Sequence, residues 1–147
     1  MRTILTAKRL WNGTCLLENP EVTIEDGRIA SIVCRPAGAP LGRVQNGVLD
    51  YPEATLAPAF LDVHIHGAAG HDVMEATPEA LNAVGGFLAT RGTGSFLATT
   101  VTAPLDATLR AVAGLARLIE KPQLIEDHNK NGQPAAKIGR ASCRERV

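Results

Sequence analysis

Aromatic side chains make up only 3% of the 147 residues, too few for the stacking platforms on which single-stranded nucleic acids bind. Neither sign of charge is in excess, since 15 Lys and Arg balance 15 Asp and Glu. A neutral chain gives no electrostatic argument for nucleic acid or for an anionic membrane surface. Long apolar runs are missing too, and none approaches the roughly 18 residues of a membrane span. Arg2, Lys8 and Arg9 are not followed by an apolar signal core or a small-residue cleavage site. The expectation is therefore a soluble cytoplasmic protein. Cysteine is scarce and odd in number: Cys15, Cys34 and Cys143 show no zinc-knuckle spacing. The first two read as small core residues and the third as accidental. Length is also limiting, because 147 residues bury one respectable core but fall short of the about 250 of a whole (β/α)8 barrel.

What is present is concentrated in Ala57-Pro58-Ala59-Phe60-Leu61-Asp62-Val63-His64-Ile65-His66-Gly67. Taken as a strand of period 2, its faces separate. Leu61, Val63 and Ile65 point one way, and Phe60, Asp62, His64 and His66 the other. A solvated face would carry Lys, Thr or Ser, whereas this one carries an acid and two imidazoles. The pattern predicts a strand whose apolar side packs on helices and whose polar side lines an enclosed site. Two His at i and i+2 before a Gly can aim both rings at one point, and neutral imidazole is a good ligand for zinc and similar metals. The alternative is two satisfied histidines near a strand end.

Pro58 to Gly67 resembles the first-strand signature of the amidohydrolase superfamily, Pro-Gly-Phe-x-Asp-x-His-x-His. The segment Gly67-Ala68-Ala69-Gly70-His71-Asp72-Val73-Met74-Glu75-Ala76-Thr77-Pro78-Glu79 is similar to the N-acetylglucosamine-6-phosphate deacetylases in particular. Ser95-Phe96-Leu97-Ala98-Thr99-Thr100 resembles the second barrel strand of that family. Ala59 stands where the superfamily usually has Gly, a mild departure if the backbone there accepts a Cβ. The resemblance covers roughly residues 1 to 138.

It implies an α/β chain: the N-terminal part of a small β-sandwich over residues 1–57, then an incomplete TIM-type (β/α)8 barrel over 58–138. That second part would hold the first two βα units of a metal-dependent hydrolase. Residues 139–147 pack three Arg and Cys143 without periodicity. They resemble a frame-shifted or vector-derived end, with a genuine basic tail as the alternative. The family's third-strand motif, Gly-x-His-Leu-Glu-Gly-Pro, is absent there.

Within residues 2–56 the turn chemistry predicts short antiparallel strands. Val22 to Glu25, Asp26-Gly27 and Arg28 to Val33 read as a hairpin, because both turn positions want positive φ. Trp11-Asn12-Gly13-Thr14 carries another turn signal, Pro36 to Gly47 reads as loop, and Val48 to Asp50 and Ala54 to Leu56 as two further short strands. Gly67 to Gly70 reads as a flexible loop. A helix is predicted from Thr77 as N-cap, with Pro78 at its first position and Leu81, Val84, Gly85 and Leu88 as its apolar stripe. Gly85-Gly86 weakens it unless close approach to the sheet requires the pair. After the strand Ser95 to Val101, a second helix from about Pro104 to Glu120 is expected to bury Leu105, Leu109, Val112, Ala116 and Ile119.

By the resemblance, the activity is hydrolysis of the acetamide of N-acetylglucosamine 6-phosphate to glucosamine 6-phosphate and acetate. The metal is a divalent ion, zinc first, with iron or another as the alternative, held by His64 and His66. Asp62 is assigned to fix a histidine tautomer by hydrogen bond, with capping of local backbone as the alternative. His71 and His128 read as surface histidines and Asp72 as a loop-ordering residue. Thr99 and Thr100 sit at the strand end where barrel sites are built. The resemblance places no catalytic residue of the family in this chain, so the chain alone is expected to be inactive and to bind metal weakly. The partner is a small amino-sugar phosphate, with no nucleic acid or membrane, and the full-length family is dimeric. Other readings are the front of a dihydroorotase-like or deaminase-like amidohydrolase, and a non-catalytic small α/β binding module.

Overall fold

The computed structural model describes residues 1–36, 38, 47–122 and 135–139. The expectations for residues 37 and 39–46 of the predicted loop, His128, Cys143 and residues 140–147 of the tail lie outside them. Two compact units are formed, Met1–Pro58 and Ala59–Val147. No helix among the described residues is long and apolar enough to cross a membrane.

The first unit is built on β1 (Arg2–Trp11). Antiparallel to it run β2 (Leu16–Glu18) and β3 (Pro20–Glu25), while β5 (Val48–Leu56) runs parallel. Because β5 pairs along Ile4 to Leu10, it takes one edge of β1, and β2 and β3 share the other. β4 (Arg28–Cys34) closes the order against β3. The β3–β4 hairpin turns through Asp26 and Gly27, both with positive φ, at 49° and 75°. That is the two-residue turn Asp-Gly selects.

Three sequence expectations for this unit are corrected. The sheet is mixed, not antiparallel. Val48 to Leu56 is one strand, not two: Pro52 lies where the β1–β5 register slips between Ala7 and Arg9, and a bulge tolerates a residue with no N–H to give the ladder. Cys15 and Cys34 are exposed, not core. The described residues of this unit form a single sheet, buried at Thr6, Ala7, Leu10, Pro20, Val22 and Thr23.

The second unit has a parallel sheet in the order β10-β9-β6: Phe60–Ile65 (β6), Thr93–Ala98 (β9) and Lys137–Ile138 (β10). α1 (Pro78–Ala89) connects β6 to β9, and α2 (Leu105–Glu120) follows β9. α1 starts where its sequence dictates: Thr77 Oγ1 accepts from the Ala80 N–H and Pro78 fills a position whose N–H would be orphaned anyway. Its buried residues include Leu81, Val84, Gly85 and Leu88, the stripe the spacing predicts. Leu81, Val84 and Leu88 join Val73, Phe96, Leu115, Leu118 and Ala136 in one core.

α2 packs differently from expectation. Ala111, Leu115 and Leu118 are buried, whereas Leu105, Leu109 and Val112 are 73%, 59% and 50% exposed. The two stripes overlap in helical spacing, and Gly114 decides between them. A Cβ at Gly114 would lie 2.7 Å from that of Ala76, so the face bearing Gly114 is the one able to approach the turn at Ala76. On β6 the apolar side is likewise only partly covered: Ile65 packs on the core, but Leu61 and Val63 are 57% and 61% exposed.

Candidate metal-binding strand end

The imidazole pair lies at the C-terminal end of β6. The rings of His64 and His66 stand edge to face with centroids 4.7 Å apart. Alternation on an extended segment puts both on one side, and the two rings are in contact. His64 is exposed and His66 half-buried.

Asp62 reaches the backbone, not a ring. Its Oδ1 accepts from the His64 N–H at 3.0 Å. The need for that bond is local: the β6–β9 register shifts between Asp62 and Ile65, and His64 falls in the gap. The carboxylate satisfies an N–H the ladder misses.

His66 is held from the neighbouring strand. Its Nδ1 lies 2.8 Å from the Thr99 carbonyl oxygen and 3.2 Å from Thr99 Oγ1. Nε2 is left for other partners. This anchoring role of Thr99 is not readable from period or spacing, because it depends on which residue of β9's end faces β6.

The segment after the pair is an ordered hairpin, not the expected flexible loop. Gly67–Ala68 (β7) pairs with His71–Asp72 (β8), and the turn residues Ala69 and Gly70 both have positive φ. A side chain at Gly67 would run into the His71 carbonyl. The hairpin is tied to the pair by the Val73 N–H, which donates to the His66 carbonyl at 2.8 Å. Asp72 caps a 3-10 turn, Val73–Glu75, accepting from the Met74 N–H, while Glu75 reaches back to the Asp72 N–H.

His71 is spent locally, its Nδ1 3.2 Å from Glu75 Oε2. The Asp72 N–H, and after it the His71 contact, holds the Glu75 carboxyl below its ordinary value. The i, i+4 spacing of His71 and Glu75 was the available signal for this pair.

A cavity of about 640 Å³ opens beside His64. Ala98, Thr99, Thr100 and Gly139 line one side, and Val112, Leu115, Ala116, Ile119 and Glu120 of α2 the other. Part of the stripe expected to be buried thus faces this space.

Two adjacent imidazoles, His66 held through Nδ1 with Nε2 left over, are of the ligand type that suits a zinc-like ion. They supply two of the at least three protein ligands such a site takes. No group of three His, Cys, Asp or Glu able to hold a metal occurs among the described residues.

No protein-family model matches the chain. Individual proteins do. It is 35% identical over 121 residues to an N-acetylgalactosamine-6-phosphate deacetylase of Escherichia coli, covering 82% of this chain and 30% of that one. It is 35% identical over 112 residues to an N-acetylglucosamine-6-phosphate deacetylase of Vibrio furnissii, covering 76% and 27%. Among solved structures, a Mycobacterium smegmatis N-acetyl-D-glucosamine-6-phosphate deacetylase variant, in complex with N-acetyl-D-glucosamine-6-phosphate, superimposes with TM-score 0.70. It shares 28% identity, over 85% of this chain and 31% of that one. The enzyme from Pasteurella multocida shares the fold, with TM-score 0.65 at 18% identity.

By name these relatives are deacetylases of N-acetylated amino-sugar phosphates, and this chain resembles part of them in both sequence and fold. More narrowly, it is a homologue of the N-acetylglucosamine-6-phosphate deacetylases. It spans about 30% of the length of the curated relatives it matches.

Proposed function

We propose that this chain is the part of an amino-sugar-phosphate deacetylase that contributes His64 and His66 to a divalent metal site, zinc being the first candidate and iron or another metal the alternative. The substrate class is the 6-phosphate of an N-acetylated hexosamine, N-acetylglucosamine first. In this reading residues 1–57 are part of a small β-sandwich, residues 58–138 begin a hydrolase barrel, and 139–147 are a tail whose sequence does not look native to the family. The whole enzyme works in the cytoplasm and is a homodimer.

The observation that carries the reading is the contact of two imidazole rings, centroids 4.7 Å apart, at a strand end, in a chain homologous to these deacetylases. The chemistry a bound divalent metal supplies is polarisation of the acetamide carbonyl and activation of water at neutral pH. The chain's own residues do the holding. Asp62 fixes the backbone at His64 through the 3.0 Å bond to its N–H. The hairpin fixes the backbone at His66 through the Val73 N–H. The apolar wall of Val112, Leu115, Ala116 and Ile119 limits water beside His64.

Calorimetric zinc titration of the chain, with His64→Ala and His66→Ala as variants, tests this reading. Weak binding that either substitution weakens further is expected, with no acetate released from N-acetylglucosamine 6-phosphate above a protein-free blank. Zinc binding unchanged by both substitutions would refute the assignment.

A further inference from the structure

We infer that Thr99 is the positioning residue of the pair, setting which nitrogen of His66 is offered to a metal; its relevance to metal binding rests on the reading above. A backbone carbonyl has no proton to give, so the 2.8 Å contact from His66 Nδ1 to Thr99 O requires Nδ1 to carry the hydrogen. A neutral imidazole has one N–H, which leaves Nε2 with a bare lone pair.

The hydroxyl reinforces this choice. Thr99 Oγ1–H donates to the Ile65 carbonyl at 3.0 Å, so the oxygen faces His66 Nδ1, 3.2 Å away, with lone pairs. Nδ1–H is shared between two acceptors of one residue. The opposite tautomer would turn the ring's own lone pair toward both oxygens. The Thr99 N–H also donates to the Ile65 carbonyl at 3.0 Å, so Thr99 grips both the strand carrying the pair and the ring itself. Partners of this kind, acting through a ligand, typically change metal affinity by about 10–100-fold when lost.

The test is long-range proton–nitrogen NMR of the histidine rings in the full chain without metal, at a pH where they are neutral. Wild type, Thr99→Val and Thr99→Ser are compared, and zinc affinity is measured alongside. Expected are an Nδ1–H tautomer at His66 in wild type and Thr99→Ser, and a reduced but still prevailing Nδ1–H population in Thr99→Val. That variant keeps the carbonyl acceptor and loses the hydroxyl one, with zinc binding up to roughly tenfold weaker. An Nε2–H tautomer in wild type overturns the inference. So does a Thr99→Val protein whose tautomer ratio and zinc affinity both match wild type, even with a lower Tm, because the hydroxyl would then position nothing. If Thr99→Val fails to fold, the wild-type and Thr99→Ser tautomers still decide. Because the tautomer is read without metal, zinc leaving both rings unperturbed would count against the metal reading and not against the role of Thr99.

Discussion

The Cβ of Ala59 stands over Gly94: a Cβ built on Gly94 would lie 2.7 Å from it. The two neighbouring strands thus share room for one methyl, and here Ala59 holds it. Ala59 does not have positive φ, so its backbone accepts the side chain that the superfamily signature usually omits. Gly94→Ala is expected to destabilise by about 1 kcal/mol or more through overpacking. Adding Ala59→Gly should recover most of that loss, giving a favourable coupling in a denaturation double-mutant cycle. Additive effects would show that the two sites do not compete.

Gly85 and Gly86 are adjacent in α1 but should respond oppositely to Ala. At Gly85 a Cβ would lie 2.8 Å from the Ala136 carbonyl oxygen, beside the bond from the Ala136 N–H to Gly85 O. Gly86 faces open space. Gly86→Ala should stabilise by up to about 1 kcal/mol, the helix-propensity difference. Gly85→Ala should lower stability, because a backbone segment must move. Urea denaturation of both variants distinguishes this from a purely propensity-driven gain at each.

The two faces of α2 give a third contrast. Leu118→Ala removes a fully buried side chain and should cost about 2–5 kcal/mol. Leu105→Ala, at 73% exposure, should change stability by less than about 0.5 kcal/mol. Thermal unfolding of the two variants checks which stripe packs. Leu105→Glu and Leu109→Glu should also reduce self-association in sedimentation, since they interrupt an exposed apolar row.

Glu75 carries a pH signature. Its carboxyl is held below the ordinary value of 4.5 by the Asp72 N–H first and His71 second. A depressed folded-state pKa contributes stability that is present above the unfolded value and lost as pH falls through the folded one. The Tm gap between wild type and Glu75→Gln should therefore be constant near neutrality. It should close below pH 4.5. A gap that persists or widens at acid pH would show that the charge is not the cause.

Much of the local architecture was legible because single residues force it. Asp26-Gly27 selects its hairpin turn, Thr77-Pro78 starts α1, and alternation over Phe60 to His66 gathers the imidazoles. The fold of the neighbouring strands was legible as far as parallel order follows from strands separated by helices. The face of α2 was not, since two apolar stripes fit the same period and a small residue opposite Ala76 chose between them. The continuity of β5 through Pro52 was hidden, because a bulge in β5 itself, three residues opposite Lys8 of β1, excuses the missing N–H. Nor could the grip of Thr99 on His66 be read, as it joins residues 33 positions apart across a strand pairing whose register slips. The Asp62 carboxylate bonds the His64 backbone N–H, the capping alternative, and not a histidine ring.

The most direct measurement is zinc-edge X-ray absorption on the zinc-loaded chain and its single variants. The account predicts two imidazole nitrogens at about 2.0–2.1 Å, falling to one in His64→Ala and in His66→Ala. A shell without imidazole, or one that neither substitution changes, would contradict it.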